Sequence, residues 1–339
     1  MARSDSYPCS ERSARAFQVF GVLGKLHILF LAVLVLFPEL LLAQWNAAIG
    51  AQSDDLGRQA LAFLPNEIWI HAGESITWTM AVNEGHTVTF LTSGQIRPPF
   101  TVECPGFSAP SASFDGSACV TSGLLFQRDK FTVVFPVAGN FKLVCLVHSD
   151  MTGTIHVLDP SQSLPHDQAF YDREAQRESA DLLRVEVTGP MNHHHHLENT
   201  VIAGHGDTVA TGGGSDSFSL MRFSDPEITV HAGDTIEWTN DDPTVAHTIT
   251  FGPEPQDLVD PSSNVTVDAD GARHGVLNSP SDAVHSGFIQ AAPQDRTGLA
   301  QTPSGVTRFR ITFSRPGIYP YICSLHEVLG MKGSVVVLP

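Results

Sequence analysis

The stretch EIWIHAGESITWT (Glu67–Thr79) returns 160 residues later as EITVHAGDTIEWT (Glu227–Thr239), identical at 8 of 13 positions. In both copies apolar and polar residues alternate on either side of an HAGE or HAGD turn signal, which predicts two strands and a tight connection. A histidine in a strand-like context follows each copy, in GHTVTF (around His86) and AHTITF (around His247). Each half then closes on an apolar run holding a cysteine, a histidine and a methionine: FKLVCLVHSDMTGTIHVL (Phe141–Leu158) and YPYICSLHEVLGMKGSVVVL (Tyr319–Leu338). The same order of features, met twice, marks an internal duplication. With FTVVF and FRITF adding further alternating segments, the pattern predicts an all-β chain of two sandwiches.

Composition agrees. The 339 residues carry 19 Lys+Arg against 36 Asp+Glu, a formal balance of 19 − 36 = −17. That charge argues against nucleic acid or an anionic membrane surface as a main partner, and the 42% hydrophobic content excludes a disordered polyelectrolyte. Abundant Gly (28) and Pro (22), with only 16% charged residues, suit short strands and many turns.

At the N-terminus, Arg3, Arg12, Arg15 and Lys25 precede the apolar run Leu26–Phe37, and small residues follow at Ala43, Ala47, Ala48 and Ala51. These are the parts of a cleavable export signal over residues 1–43, with an uncleaved single anchor as the alternative. Cleavage after Ala43 removes four basic and three acidic residues, leaving 15 − 33 = −18. The expected location is periplasmic or secreted, with membrane contact only through an uncleaved anchor. Between the repeats, Asp167–Leu183 lacks Gly and Pro and reads as a connecting helix. The expected organisation is a signal at 1–43, a first domain at 53–160, a helical linker at 161–190 and a second domain at 191–339.

The closing motifs carry the chemistry. Cys145, His148 and Met151, met by His86 from an earlier strand, can face one point inside a tight loop. His247, Cys323, His326 and Met331 repeat the set. A thiolate and two imidazoles with a weak axial thioether make a type 1 (blue) copper site. The competing interpretation is a buried Cys with His and Met packed nearby; two matching copies weigh against it.

Both halves resemble the cupredoxins, in particular the plastocyanin and amicyanin branch. The Cys-x2-His-x4-Met spacing of PYICSLHEVLGMKGSVVV looks like the plastocyanin copper loop, and the Cys-x2-His-x2-Met spacing of LVCLVHSDMTGTIHV resembles amicyanin. The resemblance implies two tandem cupredoxin-like Greek-key β-sandwiches, each with one copper, working in extracytoplasmic electron transfer. Where many members have Asn after the first ligand His, Thr87 and Thr248 stand here. The different Met spacings imply sites of different potential. The expected partner is a redox protein, a cytochrome or an oxidoreductase, docking through a basic surface.

Copper enzymes with two such domains usually place a His immediately before the ligand Cys. Val144 and Ile322 hold that place, and His-x-His spacing, as in His194 and His196, occurs only within the run His193–His196. An electron carrier without a catalytic residue is therefore expected, ahead of a nitrite reductase-like or oxidase-like enzyme and of a copper carrier or sensor. His193–His196 reads as a solvated metal-binding run, and His71 and His231 as surface turn residues. Cys9 lies ahead of the export signal's apolar run. Cys104 and Cys119 lie in an insertion of the first half, where export permits a disulfide worth about 3 kcal/mol, against free thiols or a soft-metal site.

Overall fold

The ten strands of the first half are β1 (Gln44–Gln52), β2 (Arg58–Leu64), β3 (Glu67–His71), β4 (Ser75–Met80), β5 (Thr89–Phe90), β6 (Ser111–Ser113), β7 (Val120–Thr121), β8 (Lys130–Val134), β9 (Gly139–Val144) and β10 (Thr152–Leu158). A helix, α1 (Gln168–Leu183), separates them from the second half. There the strands are β11 (Thr200–Ala210), β12 (Ser215–Phe223), β13 (Glu227–His231), β14 (Thr235–Asp241), β15 (Thr250–Phe251), β16 (Thr266–Val267), β17 (Arg273–Leu277), β18 (Val284–His285), β19 (Arg308–Phe313), β20 (Gly317–Ile322) and β21 (Lys332–Leu338). This computed structural model describes residues 43–98, 104, 111–185, 199–291 and 306–339. All of these lie in one compact unit, Leu42–Pro339. The expected export signal up to residue 42, Cys9 and His193–His196 fall outside the described residues. Among those described, no helix is long and apolar enough to cross a membrane.

Each half is a two-layer sandwich. In the first, β2-β1-β4-β8-β6 faces β3-β10-β9-β5-β7; in the second, β12-β11-β14-β19-β17-β16 faces β13-β21-β20-β15-β18. The quoted repeat forms β3 and β4 and their counterparts β13 and β14, one strand in each layer. Alternation sends Ile68, Ile70, Ile76 and Trp78 into the first core and Val230, Ile236 and Trp238 into the second.

Two features go beyond two sandwiches joined by a linker. The first is that β2 pairs antiparallel with β12, so the two front sheets fuse into one of 11 strands. Gln59 pairs with Ser219, Ala60 with Phe218 and Arg58 with Leu220. Gln59 and Ser219 hold corresponding positions of the duplication, so the seam has pseudo-two-fold symmetry about that pair. The second is that α1 folds back on the first half. Asp167 caps its first turn by accepting from the Phe170 N–H at 2.8 Å. Tyr171 is buried, donating its hydroxyl to the Trp69 carbonyl at 3.0 Å and accepting from the Trp69 N–H at 2.8 Å. Leu182 joins Ala60, Ala62, Leu64 and Phe218 in a small core behind the seam.

The first sandwich starts at Gln44, ahead of the expected residue 53. Ala47, Ala48 and Ala51 belong to β1, whose run of small residues resembles the exit of an export signal.

Candidate metal centres

Cys145 follows β9 directly, and the loop to β10 is closed by its own backbone: the Cys145 N–H donates to the Met151 carbonyl at 3.0 Å. After β20 the Cys323 N–H donates to the Met331 carbonyl at 3.1 Å. The two extra residues of the second loop are taken up by a 3-10 turn, Glu327–Leu329, which ends on Gly330 at φ 90°. There the left-handed backbone suits glycine. Both methionines are fully buried, each in the same core as its cysteine. The remaining histidines come from the neighbouring strands: His86 and His247 precede β5 and β15, which pair with β9 and β20, and make isolated bridges to Leu125 and Ile289.

The loops bring the donors together. His86, Cys145 and His148 form one group with mutual donor distances within 4.8 Å, and His247, Cys323 and His326 form the other. Nδ1 of His86 and of His148 lie 3.9 and 3.7 Å from the Cys145 sulfur and 3.0 Å from each other. In the second group the corresponding distances are 3.9, 3.3 and 3.1 Å. Each ligand imidazole thus turns Nδ1 inward. All six residues are buried, and the donors are two nitrogens and one sulfur. That set fits copper, whose Cu(I) state prefers soft sulfur and whose Cu(II) state accepts imidazole.

Both buried thiols are held in the form that a metal would need. Burial opposes ionisation of Cys145, but hydrogen bonds from His148 and His86 outweigh it and hold the thiol well below its usual range. For Cys323 burial is likewise overcome, by the charge of His326 and the hydrogen bond from His247. A thiolate is the form a metal needs. Burial alone would lower the outer imidazoles, yet Cys145 and Glu84 raise His148 to about 9, and Cys323 and Glu84 raise His326 to about 10.

The threonines tie the ligand loops together. Thr87 accepts from the Leu146 N–H at 2.8 Å and donates its own N–H to the Cys145 sulfur at 3.4 Å. Thr248 accepts from the Ser324 N–H at 2.8 Å and donates its N–H to the Cys323 sulfur at 3.3 Å. A hydroxyl does this as well as an amide, so replacing Asn leaves the loops bonded. Arg97 clamps the first loop further, donating to the Cys145 carbonyl from Nε at 3.0 Å and Nη2 at 2.7 Å.

Glu84 is a member of the site that no motif announces. Its Oε1 lies 3.4 Å from His148 Nε2, and its Oε2 lies 3.4 Å from His326 Nε2. Burial would raise this carboxyl, but the charge of His326 and the hydrogen bond from His148 hold it well below the usual range. Glu84 and both imidazoles line a cleft of about 610 Å³ with Leu124, Val147, Val245 and Leu325. The outer edges of the two centres therefore face each other across one mostly apolar space. A residue-by-residue signal was nearly absent, because the corresponding position of the second half is Val245.

The other expected residues are placed as follows. Cys104 and Cys119 form a disulfide with Cα atoms 5.4 Å apart. His71 contacts Glu74 and the Gln162 carbonyl, and His231 is exposed at its turn. His156 stacks on Trp69 with ring centroids 4.5 Å apart, so it serves the sheet. After β18, Ile289 bonds the backbone of His247 and Phe288 lines the cleft.

The second half of the chain is similar to known copper proteins. The family of copper binding proteins described as plastocyanin/azurin matches residues 207–338. The plastocyanin of Synechococcus sp. (strain JA-2-3B'a(2-13)) is 26% identical over 124 residues, 37% of this chain and 68% of that protein. The oxidised plastocyanin from Dryopteris crassirhizoma shares 22% identity, covering 41% of this chain and 99% of its own, with a TM-score of 0.21. A purple cupredoxin from Nitrosopumilus maritimus also shares 22%, covering 42% of this chain and 100% of its own, with a TM-score of 0.20.

Proposed function

The chain is a cupredoxin-like protein, and on that premise we propose that it transfers electrons outside the cytoplasm through two type 1 copper sites, one per half. The observation that carries this reading is the same buried Cys-His-His group twice, each followed by a buried methionine. His86, Cys145, His148 and Met151 would hold one copper, and His247, Cys323, His326 and Met331 the other. Bound copper supplies a one-electron couple. What the chain supplies is a fixed donor set. Loops closed by backbone bonds, thiolates tied to Thr87 and Thr248, and cores packed around Trp78 and Trp238 resist rearrangement between oxidation states.

A carrier is favoured over an enzyme because Val144 and Ile322, both apolar, precede the ligand cysteines and offer no donor to a second metal. The differing loops, one tight and one with a 3-10 turn, support sites of unequal potential. The Cys104–Cys119 disulfide supports an oxidising compartment. A net charge of −17 supports a basic redox partner, whose reaction would slow as salt is added.

Copper analysis with a visible spectrum tests the reading. Two coppers per chain and an intense thiolate-to-copper band are expected, with about half the band lost in Cys145→Ser or in Cys323→Ser. A chain that takes up copper without that band would overturn it.

A further inference from the structure

Each imidazole that meets the cleft has two nitrogens with separate tasks. Nδ1 of His148 and of His326 turns to its own cysteine, and Nε2 turns outward to the same carboxylate, Glu84. Both histidines are nearly inaccessible, at 1% and 2% exposure, and Glu84 is 9% exposed. Glu84 spends one oxygen on each half. We propose that Glu84 is a positioning residue shared by both metal centres, orienting the outer ligand imidazole of each and coupling the two into one unit.

This inference rests on the copper reading above and adds a link between the sites. Three observations carry it. The first is the bridge itself, two contacts of 3.4 Å from one side chain to ligands 178 positions apart, 326 − 148. The second is the setting: Leu124, Val147, Val245 and Leu325 limit the water that could screen the carboxylate, so its charge acts strongly on both imidazoles. The third is the asymmetry of the duplication. A second carboxylate at Val245 would face Glu84 across the cleft, and two like charges in an apolar space oppose each other. One half therefore provides the acid for both.

A carboxylate that accepts from the far nitrogen of a metal-bound imidazole fixes the ring and strengthens it as a ligand. When Cu(II) polarises one imidazole, that ring draws more on Glu84 and leaves less for the other. Cu(II) at one centre should therefore disfavour Cu(II) at the other, by a factor on the order of five or more. By the same linkage, oxidation of one site raises the potential of its neighbour.

The decisive measurement places the substitution in one half and the readout in the other. Cys145→Ser leaves the second-half centre, and Cys323→Ser leaves the first. Glu84→Gln added to each parent should weaken Cu(II) binding at both remaining centres by roughly tenfold or more. An unchanged second-half affinity in Cys145→Ser with Glu84→Gln overturns the bridge. Parents that show no copper band overturn the copper reading instead, so the two failures are distinct. In the full chain loaded with Cu(I), the Nε2–H signals of His148 and His326 should both exchange slowly, and both should move in Glu84→Gln; movement of only one overturns the proposal. Should Glu84→Gln not fold, Glu84→Asp keeps the charge but is one methylene short. It must release at least one ring, and two unmoved signals would sink the bridge.

Discussion

A methyl group at residue 204 would sit 1.9 Å from Nε2 of His247, and the backbone there has φ +77°. Gly204 is thus the wall against which a ligand ring rests, and no side chain fits. On the proposed copper reading, Gly204→Ala should cost the second-half centre its metal while the first keeps its band, so copper content should fall from two toward one. A variant that retains both coppers would show that the ring can move aside. Residues of this kind explain what could be read in advance. The eight candidate donors could be picked out because each type carries its own metal chemistry and the order recurs twice. Glu84 could not, since a Glu in a loop is ordinarily solvated and Val245 denies it a repeat partner. Gly204 was equally silent, because its meaning lies in a contact across 43 positions, 247 − 204.

Among the elements, the seam between β2 and β12 depends most on one side chain. Phe218 is 1% exposed and packs on Ala60, Ala62, Leu64 and Leu182. The alanines beneath it are too small to fill the space it would leave. Phe218→Ala should cost about 3–5 kcal/mol by chemical denaturation, with the visible band of the folded protein unchanged. A cost under about 1 kcal/mol would mean that the seam is held by its backbone ladder alone. The strands of the repeat were legible from alternation, and α1 from its cap and its lack of Gly and Pro. Where α1 docks was not, because the decisive contact joins Tyr171 to the backbone of Trp69. The strand β1 was hidden by its alanines, which serve an export signal and a buried strand equally well.

At the scale of the whole molecule, the halves meet through buried acids whose titration should be visible. Burial pushes Asp216 up to about 7 from 3.8, against the Asn66 hydrogen bond and with help from the charge of Glu178. Glu178, itself pushed up to about 7 by burial, acts in the same direction. Between about pH 4 and 7 the folded chain holds a proton that the unfolded chain has released, so stability falls as pH rises through that window. For one such group the slope is at most about 1.4 kcal/mol per pH unit. Denaturation should therefore show a more stable protein near pH 5 than near pH 8, and Asp216→Asn should flatten that difference; an unaltered slope would place its cause elsewhere. Two sandwiches were legible, since each half reads as its own core. Their fusion and the meeting of the two centres were not, because the seam obeys no pattern within either half. Its symmetry has a further meaning. Corresponding strands, antiparallel and centred on Gln59 and Ser219, are what two identical chains would form on a closed two-fold axis. The duplicated chain therefore has, within one polypeptide, the geometry of a homodimer: each half seals the open strand edge of the other, and the two need not match at a position such as Glu84.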